Sequence, residues 1–159
     1  TGLIYIPGTF SDTREVVALA KAAPIPDLPD IAAGEIEVAS AFGAPPIRVM
    51  TYRPIAPRGP LPAIVHVHGG GFVMGCPEMK DAENRVFASE LKCAIYSVDY
   101  RLAPEYKYPA ALDDSIAAWR WIVQKAETDA NYKGCLAVAG DSAGGHLAAV
   151  HADAHCEIL

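Results

Sequence analysis

From Gly34 onward, short apolar runs alternate with longer stretches of helical periodicity, separated by turns rich in Gly, Pro and Asp. Glu35 to Ala39 and Ile47 to Tyr52 read as a strand pair joined through Gly43 and Pro45-Pro46. Ala63 to Val67, Ala94 to Val98 and Leu136 to Ala139 show no polar face, the pattern of buried parallel strands. Between them, Met79 to Leu91 and Ala110 to Lys125 read as helices. The second is opened by Pro109 and carries aspartates in its first turn, where negative charge suits the helix dipole. Leu112, Ile116, Trp119 and Val123 recur in it at helical spacing and are predicted to face the core. The alternation predicts an α/β fold, a mostly parallel sheet flanked by helices.

Residues 1 to 34 differ from the rest. Thr13 to Ala23 fits one amphipathic helix, with Val16, Val17, Leu19 and Ala20 apolar. Pro24-Ile25-Pro26-Asp27-Leu28-Pro29 ends it, because proline cannot continue a helix. The chain thus divides into an N-terminal segment, 1–34, and a main unit, 35–159.

Composition narrows the class of partner. A chain of 159 residues, 52% hydrophobic and 20% charged, is globular and long enough for one core. A net charge of −6 argues against nucleic acid or an anionic membrane surface and favours a neutral or apolar small molecule. No run approaches the roughly 18 apolar residues of a membrane span, and no basic-then-apolar leader opens the chain. Cys76, Cys93, Cys135 and Cys156 are scattered rather than arranged as a disulfide framework. A soluble, reduced, cytoplasmic protein is expected.

Two glycine-rich turns carry the chemistry. Cys135 to Ala139 leads into Gly140-Asp141-Ser142-Ala143-Gly144-Gly145, and the helix-compatible His146 to Val150 follows: strand, sharp turn, helix. In a G-x-S-x-G turn of this kind the serine hydroxyl stands at a helix N-terminus, where partial positive charge favours a developing anion. Ser142 is the candidate nucleophile. A phosphate cradle fits less well, since no Lys-Ser/Thr ending or dinucleotide glycine spacing is present. Upstream, His68-Gly69-Gly70-Gly71-Phe72 follows the strand Ala63 to Val67. Bare glycine amides there can be aimed at a carbonyl oxygen as it becomes an oxyanion, each worth roughly 3–4 kcal/mol in the transition state. Gly70, Gly71 and Ala143 are the expected donors, with Gly69, Gly140, Asp141 and Gly144 shaping the turns. His68 is expected to hold the glycine loop through the backbone, and Phe72, Val73 and Met74 to line a pocket. Asp141 is expected to be a turn residue.

These two motifs, with Asp99-Tyr100-Arg101-Leu102-Ala103-Pro104-Glu105 and Tyr108-Pro109-Ala110-Ala111-Leu112-Asp113-Asp114 between them, resemble the hormone-sensitive-lipase family of α/β-hydrolase esterases over roughly residues 35 to 150. The resemblance implies a serine carboxylesterase or lipase-like hydrolase. It would act through an acyl-enzyme on short- to medium-chain acyl esters, with no cofactor and no metal. It also implies that residues 1–34 belong to a cap over the acyl pocket, and that 35–159 form the N-terminal portion of the catalytic domain. Asp99, Tyr100, Arg101 and Asp113 are expected to hold the loop after the strand Ala94 to Val98.

In such enzymes the triad acid and histidine follow the serine well downstream, whereas 17 residues follow Ser142. His146, His151, His155 and Asp153 all fall on the helix that Ser142 begins, and at 1.5 Å rise per residue His151 and His155 are too distant to act as its base. His146 is expected to be structural. The triad acid and histidine are therefore unassigned and expected to be absent, as in a C-terminally truncated member with impaired activity. His151-x-x-x-His155, with Asp153 and Cys156, has the spacing of two metal ligands but no further pair, so no metal site is expected. Two other readings stand beside the esterase. One is a non-catalytic ligand-binding relative, as plant gibberellin receptors are. The other is an inactive fragment that associates with other chains through an exposed sheet edge.

Overall fold

The computed structural model describes residues 18–20, 22, 24, 25, 27–40 and 43–156, with the backbone alone for 127, 133–135 and 152–156. Five strands, β1 (Ile31–Val38), β2 (Ile47–Pro54), β3 (Leu61–Val67), β4 (Ala94–Asp99) and β5 (Tyr132–Gly140), form one sheet in the order β1-β2-β4-β3-β5. Among the described residues, helices α1 (Asp81–Leu91) and α2 (Ala110–Thr128) and the 3₁₀ turn Pro77–Lys80 lie between the strands, and helix α3 (Ala143–Cys156) follows β5.

β3 pairs in parallel with β4 on one side and β5 on the other, so the three runs without a polar face form the parallel block expected of them. The hairpin β1–β2 adds to it antiparallel, through β2 against β4. Among the described residues the sheet is thus mixed, an α/β architecture with its parallel part at one side. β1 begins at Ile31, inside the segment set apart as 1–34. Gly34 pairs with Thr51 in mid-strand, and a turn-forming residue type there hid four strand positions from the pattern. Of the helix expected over 13–23, residues 18–20 and 22 are helical; the remainder lies outside the described residues. The helix expected from Met79 starts instead as the 3₁₀ turn with Pro at its N-terminus, and α1 proper begins at Asp81.

Successive side chains on a strand point to opposite faces, and the core divides accordingly. Ala63, Val65 and Val67 of β3 and Ala94, Tyr96 and Val98 of β4 face Ala118, Trp119 and Ile122 of α2 and Leu147 of α3. Ile64 and Ile95 turn the other way, toward Ala88 of α1, Tyr52 and Cys93. The full burial of Val65, Val67 and Val98 is worth about 1.5–3 kcal/mol each. On α2, Trp119 and Ile122 are buried, whereas Leu112 and Val123 pack at the edge of the core. Val67 is in register with Gly140, so the loops after β3 and β5 leave the sheet at the same edge, where open α/β sheets bind ligands. Among the described residues no helix is long and apolar enough to cross a membrane.

Candidate active site

β5 ends at Gly140 and α3 begins at Ala143, which leaves Asp141 and Ser142 to make the turn. Ser142 has φ 54°, a left-handed backbone that is uncommon for a residue with a Cβ. The turn is closed by the Gly144 N–H on the Asp141 carbonyl (3.0 Å) and the His146 N–H on the Ser142 carbonyl (3.1 Å). It is also pressed against β3: a Cβ on Gly144 would lie 2.0 Å from the Val67 carbonyl oxygen and 2.6 Å from that of His68. The side chain of Ser142 is exposed. As the first residue of α3, Ala143 has an N–H with no carbonyl partner inside the helix.

The glycine loop leaves β3 beside it. Gly70, Gly71 and Phe72 all have positive φ (124°, 64° and 65°), and the Gly70 carbonyl accepts the N–H groups of Val73 (3.2 Å) and Met74 (3.1 Å). With the loop curled in this way, the Gly70 and Gly71 N–H groups donate to no backbone carbonyl among the described residues. The two turns abut, because a Cβ on Gly69 would fall 2.6 Å from Asp141 Oδ2 and 2.8 Å from the Asp141 carbonyl oxygen. Asp141 is exposed and serves this turn, as expected of it.

His68 is buried under the loop. Since a carbonyl can only accept, its Nδ1–H donates to the Gly69 oxygen (2.7 Å), and Nε2 is left as a buried acceptor with no hydrogen-bond partner among the described residues. Its ring stacks on that of Tyr100 (centroids 4.2 Å, 13° between planes), and Tyr100 OH donates to the His68 carbonyl (2.8 Å). Burial lowers the His68 pKa from its ordinary value, which keeps the ring neutral. His66, two residues earlier on β3, bonds Ser97 Oγ through Nδ1 (3.1 Å) and sits with Nε2 3.9 Å from Asp141 Oδ1; its pKa is also lowered by burial.

Two ion-pair networks brace the surrounding loops. Arg101 bonds Asp114 through its backbone N–H (2.9 Å), Nε (2.8 Å) and Nη2 (2.7 Å), so the aspartate of α2 that holds this loop by hydrogen bonds is Asp114, where Asp113 was expected to help hold it. Both aspartates open α2, but only the side chain of Asp114 is turned under the loop, at 1% exposure. Arg48 of β2 ties Asp99 at the end of β4 (2.8 Å) to Glu78 of the 3₁₀ turn (2.9 and 3.0 Å). Burial, the largest single influence, would raise the Glu78 pKa; the hydrogen bonds and charge of Arg48, with hydrogen bonds from the backbone and Cys76, together outweigh it and hold the carboxyl at about 2. No local spacing in the sequence could have signalled Arg48 and Glu78, which lie on separate elements and meet only in the tertiary fold.

A cleft of about 460 Å³ opens beside the serine turn, bordered by Gly71, Phe72 and Val73 of the glycine loop, Tyr106, Tyr108 and Leu112, and His146 and Val150 of α3. Phe72 and Val73 thus line a pocket as expected, whereas Met74 is not part of the lining. His146, expected to be structural, is exposed and meets Phe72 edge to face (6.3 Å, 84°). A larger open groove of about 680 Å³ lies at the opposite end of β3, around Leu61, Arg58 and Lys92, remote from the serine turn. His151 is buried against Trp119 (5.9 Å, 7° between planes), and burial lowers its pKa to about 4. The side chains of Asp153, His155 and Cys156 lie outside those described. No described side chain hydrogen-bonds Ser142 Oγ.

An exposed hydroxyl on a strained turn at a helix N-terminus, beside undonated amides, has the parts that nucleophilic acyl transfer requires for attack and for oxyanion stabilisation. A family profile described as an alpha/beta hydrolase fold matches residues 64–157, which contain both turns. The chain is 44% identical to the carboxylesterase NlhH of Mycobacterium tuberculosis over 110 residues, 69% of this chain and 34% of that protein. It is 37% identical to the carboxylic ester hydrolase LipN of the same organism over 150 residues, 94% of this chain and 39% of that one. Among solved structures, a bacterial heroin esterase superposes with a TM-score of 0.81 at 33% identity, covering 94% of this chain and 49% of that one. An esterase of Pyrobaculum calidifontis does so with a TM-score of 0.74 at 38% identity, covering 94% and 46%. The chain spans about a third of the length of these curated relatives and about half of the solved ones. Its parallel block, its paired glycine turns and the match across residues 64–157 have one common explanation: the chain belongs to the α/β-hydrolase fold family.

Proposed function

We propose that this chain carries the nucleophile and the oxyanion donors of a carboxylic ester hydrolase acting on short- to medium-chain acyl esters. Ser142 Oγ attacks the ester carbonyl, and the carbonyl oxygen, becoming an oxyanion, is received by the N–H groups of Gly70, Gly71 and Ala143. The alcohol leaves, and water then hydrolyses the acyl-enzyme. The observation that carries this reading is the left-handed Ser142 turn lying against the glycine loop at the shared edge of β3 and β5. Esterase names among the relatives support it. The first step needs a proton acceptor on Ser142 Oγ; no described side chain hydrogen-bonds that oxygen, so the base is unassigned. His68 is buried under the glycine loop at 1% exposure, its ring stacked on Tyr100. His151 is stacked on Trp119.

The test is labelling by a fluorophosphonate, located by mass spectrometry, alongside turnover of an activated ester. Slow label on Ser142 at high probe concentration, lost in Ser142→Ala, with turnover by the 159-residue chain depressed on the order of 10⁶-fold relative to a complete triad enzyme, is the expected result. Binding of ester analogues without any label on Ser142 would favour a non-catalytic ligand-binding relative. Label on another residue would remove the assignment.

A further inference from the structure

We propose that the cleft beside Ser142 receives the ring of a neutral aromatic ester, and that His146 selects for it. The proposal rests on the reading of Ser142 as nucleophile and adds the class of substrate.

The cleft is continuous with the chemistry. Gly71 borders it, and His146 stands one helical turn from Ser142, to whose carbonyl its N–H is bonded. Among the described residues, no Asp, Glu, Lys or Arg lines it. A charged group entering would lose hydration with no counter-charge to meet it, so the site discriminates for neutral ligands.

The lining is rich in rings. Phe72 and His146 already hold an edge-to-face pair, and Tyr106 and Tyr108, 44% and 87% exposed, bring two more aromatic surfaces to the same space. Four rings gathered around one concavity beside the serine turn make an apolar slot matched to a flat ligand. The arrangement is also preset. Phe72 is held in a left-handed conformation, its carbonyl accepts the Ala103 N–H (2.8 Å), and the Arg101 guanidinium lies 5.2 Å from the Tyr106 ring centroid. Preorganised walls spare the ligand the ordering of those side chains. His146 is the ring that α3 supplies. A small aliphatic side chain at that position would leave Phe72 without its partner and remove one wall of the slot.

The test uses binding, not turnover. Dissociation constants of N-phenylbutanamide and N-hexylbutanamide, inert amides with six carbons each beyond the nitrogen, are measured by titration calorimetry on the 159-residue chain, His146→Ala and His146→Phe. The expected result is about fivefold tighter binding of the phenyl amide, a preference falling below about twofold in His146→Ala and kept in His146→Phe. Equal binding of the two amides by the unsubstituted chain, a preference that survives His146→Ala, or its loss in His146→Phe would overturn the proposal. Because neither amide is turned over, the two failures separate. A labelled Ser142 with no ring preference removes the aromatic-ester proposal alone, and a ring preference without labelling of Ser142 removes the acyl-transfer reading and with it the ester as substrate, leaving a cleft selective for neutral aromatic ligands.

Discussion

Gly144 and Val67 are in contact through backbone: a Cβ on Gly144 would stand 2.0 Å from the Val67 carbonyl oxygen. This one approach joins the first turn of α3 to the end of β3 and so fixes the serine turn against the glycine loop. Gly144→Ala cannot be absorbed by a side-chain rotation, since the atom it meets is main chain. We expect the substitution to lower stability by about 2–3 kcal/mol and to abolish labelling at Ser142, measured by urea unfolding and by mass spectrometry of the fluorophosphonate adduct.

Tyr100→Phe removes the hydrogen bond from the Tyr100 hydroxyl to the His68 carbonyl (2.8 Å) while leaving the ring stack in place. A buried carbonyl loses its donor, at a cost of about 1–2 kcal/mol. Thermal unfolding is expected to show a drop of about 2–8 °C. Tyr100→Ala, which also removes the stack, should fall further.

Asp114→Asn breaks the paired hydrogen bonds to the Arg101 guanidinium and is expected to destabilise by about 2 kcal/mol. Its neighbour offers the control. Asp113 contributes charge to the first turn of α2, so Asp113→Asn should cost under about 1 kcal/mol. Equal losses in chemical denaturation would show that the Arg101–Asp114 pair has no special weight.

His151 gives stability a pH dependence of definite sign. Burial lowers its pKa to about 4, so between that value and the ordinary histidine range the unfolded chain binds a proton that the folded chain does not. Stability is therefore full above about pH 7 and is lost as pH falls from about 6.5 toward 4, by on the order of 3 kcal/mol from this residue. His66 and His68, also lowered by burial, act in the same direction, whereas Glu78 contributes only as pH falls below the ordinary carboxylate range toward 2. His151→Phe keeps a ring on Trp119. Urea midpoints measured from pH 7.5 to 4.5 should decline less steeply in that variant than in the unsubstituted chain.

β5 ends the strand order, and among the described residues no strand pairs with its outer edge. An unpaired edge on a strand of this kind is a template for another chain. Sedimentation at several concentrations is expected to show a mass that rises with concentration. A fixed monomer that unfolds cooperatively would remove self-association from the account.

The sequence by itself determined the elements and the chemistry. Runs without a polar face, such as Ala63 to Val67, could only be buried strands. Gly140 to Gly145, with an apolar run before it and a helical pattern after it, read as a tight passage from strand to helix, and three consecutive glycines after His68 as exposed backbone. These are properties of a few neighbouring residues, and local steric and solvation rules read them directly. What the tertiary structure alone decided is which distant groups meet. Strand order set β3 between β4 and β5 and brought the two glycine turns to one edge. Packing chose Asp114 over Asp113 for Arg101, assembled Arg48 with Glu78 and Asp99, and turned His146 into a cleft rather than the core. Such pairings depend on the direction of side chains across tens of residues of intervening chain, and helical or strand periodicity carries no information about that direction beyond its own element.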